Sequence, residues 1–482
     1  MASLSEQPFA SGSPTGPGTA RGRDHRTEIE AAVAAAASGT GSVQLLGSGR
    51  ATRTVRGVTA ENASGFSQGW LPFAGAPGEL SVAGDTLLVG LGCAADSTPE
   101  TLRVAGTAAG AVIADGDVLI ELPECDADNV RAWIDGLVSG IRPDRNVRLT
   151  LDTLGGSVPD AAREGLIAAQ ASRLASLLTS APANVVTPGQ AALWARDIAV
   201  RAELQCSILD DIELRDRGFG GLTAIGCGSV NGPRLVQLRY DGTGDGPSIT
   251  LAGKGITFDS GGLSLKSPDA MQSMRSDVAG AAVVLAVMAV LGRLGVRATV
   301  RAILPFAENL PGPGSARPGD VVSSYDGTQI QILDTDFEGR VVLADALALA
   351  VEERPDLVID MATLTYQAVT ALGPEIGAVI SPDDSAAEAL LSASAAAGEP
   401  MWRLPWAPRY LDQVRTASGV RNHPLRSSGR ALTAALFLGE FVPRDIPWVH
   451  CDFAGPAWAG DASCDGATGF GTRTLLRLLA RQ

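Results

Sequence analysis

The chain has 482 residues, 45% of them hydrophobic and 19% charged, which excludes a disordered protein and is too long for one ordinary domain. Fifty-three acids against 38 basic residues leave a formal charge of −15, a body that repels nucleic acid and anionic lipid. Six scattered cysteines without a CxxC pair exclude a zinc finger and point to a reducing, cytoplasmic compartment.

Residues 1–27, rich in Ser, Gly and Pro and without the apolar core of a signal peptide, read as a disordered tail. Residues 28–178 read as an α/β domain: Thr86–Gly92 is a strand running into a Gly turn, Thr101–Ile113 a helix, Val118–Leu122 a strand and Ala127–Ile141 a helix. The Ala- and Leu-rich stretch Pro159–Leu178 suits a helix linking this smaller domain to a second one, residues 179–482, where Thr187-Pro188 signals a helix start. Leu235–Tyr240, Ser248–Ala252, Val300–Phe306 and Leu357–Thr365 predict strands. Val321–Leu333 predicts a hairpin turning at Asp326-Gly327, and Arg340–Glu352 a helix. Val278–Leu294 is a nearly all-apolar helix, too short to span a bilayer and expected to be buried. The alternation implies two α/β domains, the C-terminal one with a mixed central sheet flanked by helices.

Of the 38 basic residues only Lys254 and Lys266 are lysines. A high-GC genome explains the arginine bias, but it predicts surviving lysines at random places or none. Both instead lie in one segment, Gly253–Lys266, around Asp259. Arginine cannot replace lysine where a neutral amine or a compact ammonium is needed. The same region carries acids at unusual places. Asp259 follows a strand in a glycine-rich loop, Asp277 precedes the apolar helix, and Asp336 and Glu338 stand just before Arg340. Alone, Asp277 would cap a helix and Asp336-x-Glu338 would be a solvated turn. Together, four acids beside apolar elements are costly unless they meet cations. Carboxylates with little histidine suit zinc or manganese, with magnesium or cobalt as further candidates, and a pair of divalent metals would share them well. Of the histidines, His25 lies in the tail, His423 in the second half, and His450 in an apolar strand as a structural hydrogen-bonding residue. Cys227 and Cys451 read as core thiols, and the lack of a G-x-S-x-G elbow argues against a serine hydrolase.

Gly253–Gly262 and Asp334–Arg340 resemble the two signature segments of the leucine aminopeptidase family, the M17 cytosolic aminopeptidases. Similar segments continue in order through Met274–Ala282, Glu308–Pro311, Ala316–Asp320, Leu343–Leu347, Asp360–Thr365, Thr433–Phe441, Trp448–Gly455 and Thr468–Gly471. The resemblance covers Asn184 to the C-terminus; before that only the α/β pattern is shared. It implies that Asp259 and Glu338 bridge two divalent metals, with Lys254 and Asp277 completing one shell and Asp336 the other. Lys254 would ligate as a neutral amine. Lys266 would polarise the scissile carbonyl and stabilise the oxyanion. Arg340 would hold a bicarbonate acting as general base on a metal-bridging water, and Asp277 with a metal would grip a free α-amine. The resemblance further implies a homohexamer.

All seven of these positions match the family pattern; the pocket does not. The resemblance assigns Met274, Asp334, Phe337, Thr363, Leu364 and Tyr366 to the substrate pocket. Asp334 stands where the family has Asn, Phe337 where it has Ala, and Tyr366-Gln367 where it has Gly-Ala. Two small residues have become aromatic and displace substrate volume, and an ionised Asp334 would favour a cationic or donor-rich leaving group. These changes suggest an aminopeptidase narrowed to an unusual aminoacyl compound or biosynthetic intermediate. The alternatives are a broad leucyl aminopeptidase of peptide turnover and a non-catalytic or DNA-binding relative, the last opposed by the retained lysines and the acidic charge.

Overall fold

The computed structural model describes residues 24–46, 51, 53–65, 73–122, 126–151, 158–459 and 466–481. Helix α1 (His25–Ser38) begins inside the segment expected to be a disordered tail, because Asp24 caps it by accepting the Thr27 N–H at 3.3 Å. The remainder of that segment, with Cys125 and Cys464, lies outside the described residues.

Strands β1 (Val43–Leu46), β2 (Arg53–Val58), β3 (Leu80–Ala83), β4 (Thr86–Gly90), β5 (Gly116–Glu121) and β6 (Val147–Leu151) form a six-stranded sheet in the order β1-β6-β5-β2-β4-β3. Every pairing is parallel except the β3–β4 hairpin. Helices α2 (Pro99–Val112) and α3 (Ala127–Gly140) supply the crossovers that parallel strands require. Helix α4 (Val158–Ser180) belongs to both halves. Ala161, Ala162, Leu166 and Ala169 pack into the N-terminal core, whereas Ile167, Ala171, Leu174 and Leu178 pack into the C-terminal one.

Helix α5 (Pro188–Arg201) starts at the Thr187 cap, which accepts the Gln190 N–H at 3.2 Å. The second sheet has nine strands. Its members are β7 (Gln205–Leu209), β8 (Arg234–Tyr240), β9 (Ser248–Gly253), β10 (Gly255–Asp259), β11 (Thr299–Asn309) and, after the small hairpin β12 (Val321–Ser323) and β13 (Gln329–Gln331), β14 (Leu357–Ala362), β15 (Gly377–Ile380), β16 (Met401–Arg403) and, past β17 (Gly419–Arg421) of the hairpin's sheet, β18 (Trp448–Asp452). The centre is parallel, with β9 between β11 and β14, and the edges add antiparallel partners, so the sheet is mixed.

Helices α6 (Ala279–Met288) and α7 (Glu338–Ala350), both buried along their whole length, cover opposite faces of this sheet. The strand alternation shows it: Leu251, Ala302 and Ile359 join the core of α6, whereas their neighbours Ala252, Ile303 and Val358 join that of α7. The apolar stretch expected as one helix is broken. A 3₁₀ turn over Met274–Val278 precedes α6, and the chain leaves helical geometry again at Val290, whose φ is −117°. No described helix is long and apolar enough to cross a membrane. The four described cysteines are free; Cys451 is a core thiol, but Cys227 ends a short helix and is only partly buried.

Candidate metal centre and active site

Lys254 sits at the kink between β9 and β10. Its backbone is fixed on both sides, the N–H donating to Met361 O at 3.0 Å and the carbonyl accepting from Ala281 N–H at 2.8 Å. The side chain then passes directly over Gly339 at the start of α7. A Cβ there would stand 2.4 Å from Lys254 Cε and 2.5 Å from Nζ, so only glycine lets the lysine approach the helix so closely. The ammonium reaches Asp277 Oδ2 at 2.8 Å, Glu338 Oε1 at 2.9 Å and the Thr363 carbonyl at 2.9 Å.

Asp259 ends β10, its Oδ1 held by the Gly261 N–H and by Asn309 Nδ2, both at 2.8 Å. Gly261 and Gly262 take φ of +85° and +63°, and this left-handed turn folds the chain back until the Lys266 N–H meets Ser260 O at 2.9 Å. Lys266 Nζ lies 2.9 Å from Asp259 Oδ2 and also meets Asp336. Asp336 and Glu338 arrive from the N-terminal end of α7, which Thr335 pins to the glycine turn by donating to Gly261 O at 2.7 Å. Asp259, Asp336 and Glu338 each offer an oxygen within 4.8 Å of the others.

Four carboxylates against two ammoniums leave 2 − 4 = −2 formal charges in this buried cluster. Burial, with the Glu338 and Asp277 charges adding to it, holds Asp259 well above the usual carboxylate range against the pull of Lys266 and Lys254. Burial likewise pushes Asp277 up to about 6 despite Lys254, and raises Asp336. Glu338 goes the other way: burial opposes its charge, but the Lys254 and Lys266 ammoniums more than offset it. Both lysines are held above their ordinary value by these acids, although burial works against them. The residues fit divalent cations. Their donors are hard oxygens and one amine, the acids carry excess negative charge, and Glu338 Oε2 is buried without a hydrogen-bond partner.

Supporting residues surround this cluster. Asp277 Oδ1 accepts from Thr363 Oγ1 at 2.8 Å. The β14 strand stops at Ala362, short of the expected Thr365, because Asp452 at the end of β18 takes the Leu364 and Thr365 N–H groups at 3.1 and 3.3 Å. Beneath it, His450 is structural: Nδ1 lies 2.6 Å from Asp360, which also accepts Trp448 Nε1–H at 2.8 Å. Arg340 is buried and donates from Nη1 to Asn422 O at 2.9 Å. Its guanidinium carbon lies 4.6 Å from the Phe337 ring centre. Burial, countered in part by Glu338 and Asp452, lowers the Arg340 guanidinium to about 10.

The structure therefore brings Lys254, Asp259, Lys266, Asp277, Asp336 and Glu338 into direct contact, with Arg340 beside them. Thr363 joins through Lys254 and Asp277. Met274 is half-buried on the turn that carries Asp277, and Leu364 packs toward the α7 core. Phe337 is half-buried against Arg340, but Tyr366 opens helix α8 (Tyr366–Leu372) with 76% of its surface exposed. Asp334 caps a turn, accepting the Asp336 N–H at 3.0 Å. Sequence reasoning missed Gly339, Asn309 and Asn422. Asn422 ties the end of β17 to the loop before α7 through Asp334 O at 2.6 Å and the Leu333 N–H at 2.8 Å, and nothing in its local sequence signals that reach.

The catalytic domain of the Cytosol aminopeptidase family, Peptidase M17, matches residues 173–476, and the chain belongs to that family. A "Probable cytosol aminopeptidase" of Roseiflexus castenholzii is 43% identical over 341 residues, 69% of each chain. One from Cutibacterium acnes is 37% identical over 423 residues, 82% of each chain. Among solved structures, the bottromycin maturation enzyme BotP in complex with Mn has a TM-score of 0.82 and 38% identity, covering 90% of this chain and 99% of that one.

Proposed function

We propose that the protein is a dinuclear metal aminopeptidase of the cytoplasm, narrowed to a restricted set of aminoacyl or peptide substrates with a free α-amine. The observation that carries this reading is the set Lys254, Lys266, Asp259, Asp277, Asp336 and Glu338, buried except for the half-exposed Asp336 and the partly exposed Lys266, with more negative charge than its two lysines neutralise and one buried carboxylate oxygen without a partner. When bound, two divalent ions would supply Lewis-acid polarisation of the scissile carbonyl and a nucleophile at neutral pH. The similarity to a manganese complex makes manganese the first ion to test, with zinc next.

The chain's own residues divide the remaining work. Asp277, held by Thr363, anchors the α-amine, which restricts the reaction to N-termini. Lys254, beside Asp277 and Glu338, would help hold one ion as a neutral amine. Lys266, paired with Asp259 and Asp336, keeps its ammonium in the centre as a donor to the oxygen that gains charge when the carbonyl is attacked. Arg340, buried and without a carboxylate partner, offers its guanidinium to bicarbonate, which would accept the proton of the attacking water. Phe337 narrows the approach over Arg340.

The specialised reading is favoured over broad peptide turnover by Phe337, whose ring fills space against Arg340, and by the likeness to a bottromycin maturation enzyme. The test is a panel of aminoacyl anilides after metal removal and readdition of Mn²⁺ or Zn²⁺. Activity that returns only with metal and on a few residues supports the proposal. Metal-independent cleavage overturns the mechanism, and even activity across the panel overturns the specialisation.

A further inference from the structure

Between Asp412 and Glu440 the chain carries four arginines and no acid, in a molecule whose formal charge is −15. Two of the four have evident partners. Arg415 pairs with Glu440 at 2.6 Å, and Arg421 donates to the carbonyls of Asp412 and Gln413 at 3.1 and 3.2 Å. Arg426 lies on the exposed loop 425–429. Arg430, half-buried, opens helix α9 (Arg430–Leu438), and it faces the catalytic centre. Its guanidinium carbon is 5.4 Å from the Phe337 ring centre, and its Nη2 is 3.3 Å from His423 Nε2. The His423 ring itself packs on Phe337 with centres 4.6 Å apart.

Two guanidiniums therefore meet one aromatic ring, Arg340 and Arg430, and the Nε of each is buried without a hydrogen-bond partner. Among the described residues neither forms an ion pair with a carboxylate, although Arg340 is only 2% exposed. The nearby Asp334 pairs with neither guanidinium and instead caps a turn, its Oδ1 accepting the Asp336 N–H at 3.0 Å. The cost of a buried guanidinium without an acid falls on Arg340, and Arg430, half-buried beside it, adds a second positive charge over the same ring. His423 registers this field: burial and the Arg430 charge hold its imidazole below the ordinary value, with Asp334 opposing.

We propose that Arg430 and His423, with the Phe337 ring as a platform, form a carboxylate-recognition subsite on the leaving-group side of the scissile bond. The side follows from the site: the α-amine belongs with Asp277 and Thr363, whereas Phe337 flanks Asp336 and Glu338. The proposal rests on the aminopeptidase reading above and replaces the cationic leaving group expected from Asp334 with an anionic one. Arg340 remains for bicarbonate; Arg430 is the additional cation that the hydrolytic chemistry does not use.

The test uses the metal-loaded full chain and the residue X that it cleaves fastest as an anilide. Dipeptide amides X-Asp, X-Asn and X-Lys are compared with X-Ala carrying a free or an amidated C-terminus. A carboxylate should raise kcat/KM by about tenfold or more, the scale of one hydrogen bond to a charged group. Preference for Asp over Asn assigns the effect to a side chain, and preference for free over amidated X-Ala assigns it to the terminal carboxylate. Arg430→Gln should bring that ratio toward one, Arg430→Lys should restore part of it, and His423→Gln should reduce it. Equal rates on all these dipeptides in the wild type, or a ratio unchanged in Arg430→Gln, overturn the subsite. Failure to cleave any aminoacyl anilide overturns the aminopeptidase reading itself.

Discussion

The two lysines hold the same charge in the same cluster, yet their surroundings separate their roles. Lys254 is enclosed by Asp277, Glu338 and the Thr363 carbonyl, with 3% of its side chain exposed, whereas Lys266 meets Asp259 and Asp336 with 15% exposed. Arginine could not shed a proton at Lys254 and its planar fork would not fit against Gly339. Lys254→Arg should therefore lose bound metal, measured by elemental analysis after gel filtration. Lys266→Ala should keep its metal and lose roughly 10²–10³ in kcat, the cost of removing an oxyanion donor. Near-wild-type turnover in either variant would contradict these assignments. The lysines and acids were legible in the sequence because their types and positions were chemically unusual in an arginine-rich chain. Arg430 was not legible: one arginine among 36 in a chain with only two lysines carries no signal until the fold places it beside Phe337.

At the scale of elements, the centre is assembled by the approach of helix α7 to the kink after β9. The helix delivers Glu338 as its first residue, where the positive end of its dipole favours a carboxylate. Gly339, its second residue, provides the clearance for Lys254. Gly339→Ala places a methyl group against the far end of a side chain and not against backbone, so the fold should survive with Tm close to wild type. Displacing the lysine by an ångström should still reduce activity by about 10²-fold, and metal affinity should fall with it. Wild-type kinetics in that variant would show that the clearance is not needed. Strand and helix identities were readable from periodicity, but their ends were not. The β14 strand stops at Ala362 and α7 starts at Glu338 because partners distant in sequence, Asp452 and Lys254, claim the flanking backbone and side chains.

Across the whole molecule, the N-terminal sheet is tied to the C-terminal half by more than α4. Asp135 of α3, only 2% exposed, takes Arg103 Nε at 2.8 Å and also pairs with Arg473 of helix α10 (Thr472–Leu479). Arg103 donates in turn to Gly398 O at 2.9 Å. Although burial works against the charge, Arg473 and Arg103 hold the Asp135 carboxyl below its ordinary value. Its contribution is then complete above the unfolded pKa and is lost as pH falls through the depressed folded one. Asp135→Asn leaves Arg103 without a carboxylate and Arg473 with only the longer pair to Glu399 at 3.5 Å, and should cost about 3 kcal/mol in urea unfolding at neutral pH. That difference should shrink under strong acid; a loss unchanged by pH would mean that packing, not charge, joins the halves. The family resemblance also leads us to expect a hexamer, and a monomeric mass in light scattering would refute it.

The scarcity and seclusion of lysine have a practical consequence for anyone handling the protein. A lysine-specific endoprotease has two cleavage points in the chain, after Lys254 and Lys266, and both lie inside the catalytic centre with their ammoniums in ion pairs. Surface fraying, nicked loops and mobile ends, which ordinarily dominate proteolysis, are invisible to such an enzyme. Digestion should therefore report only openings that dismantle the centre itself. The native protein should remain intact for long periods, and the denatured chain should yield three fragments. Addition of Mn²⁺ should slow native digestion further in proportion to the stability it confers, turning cleavage into a reading of metal occupancy that needs no substrate.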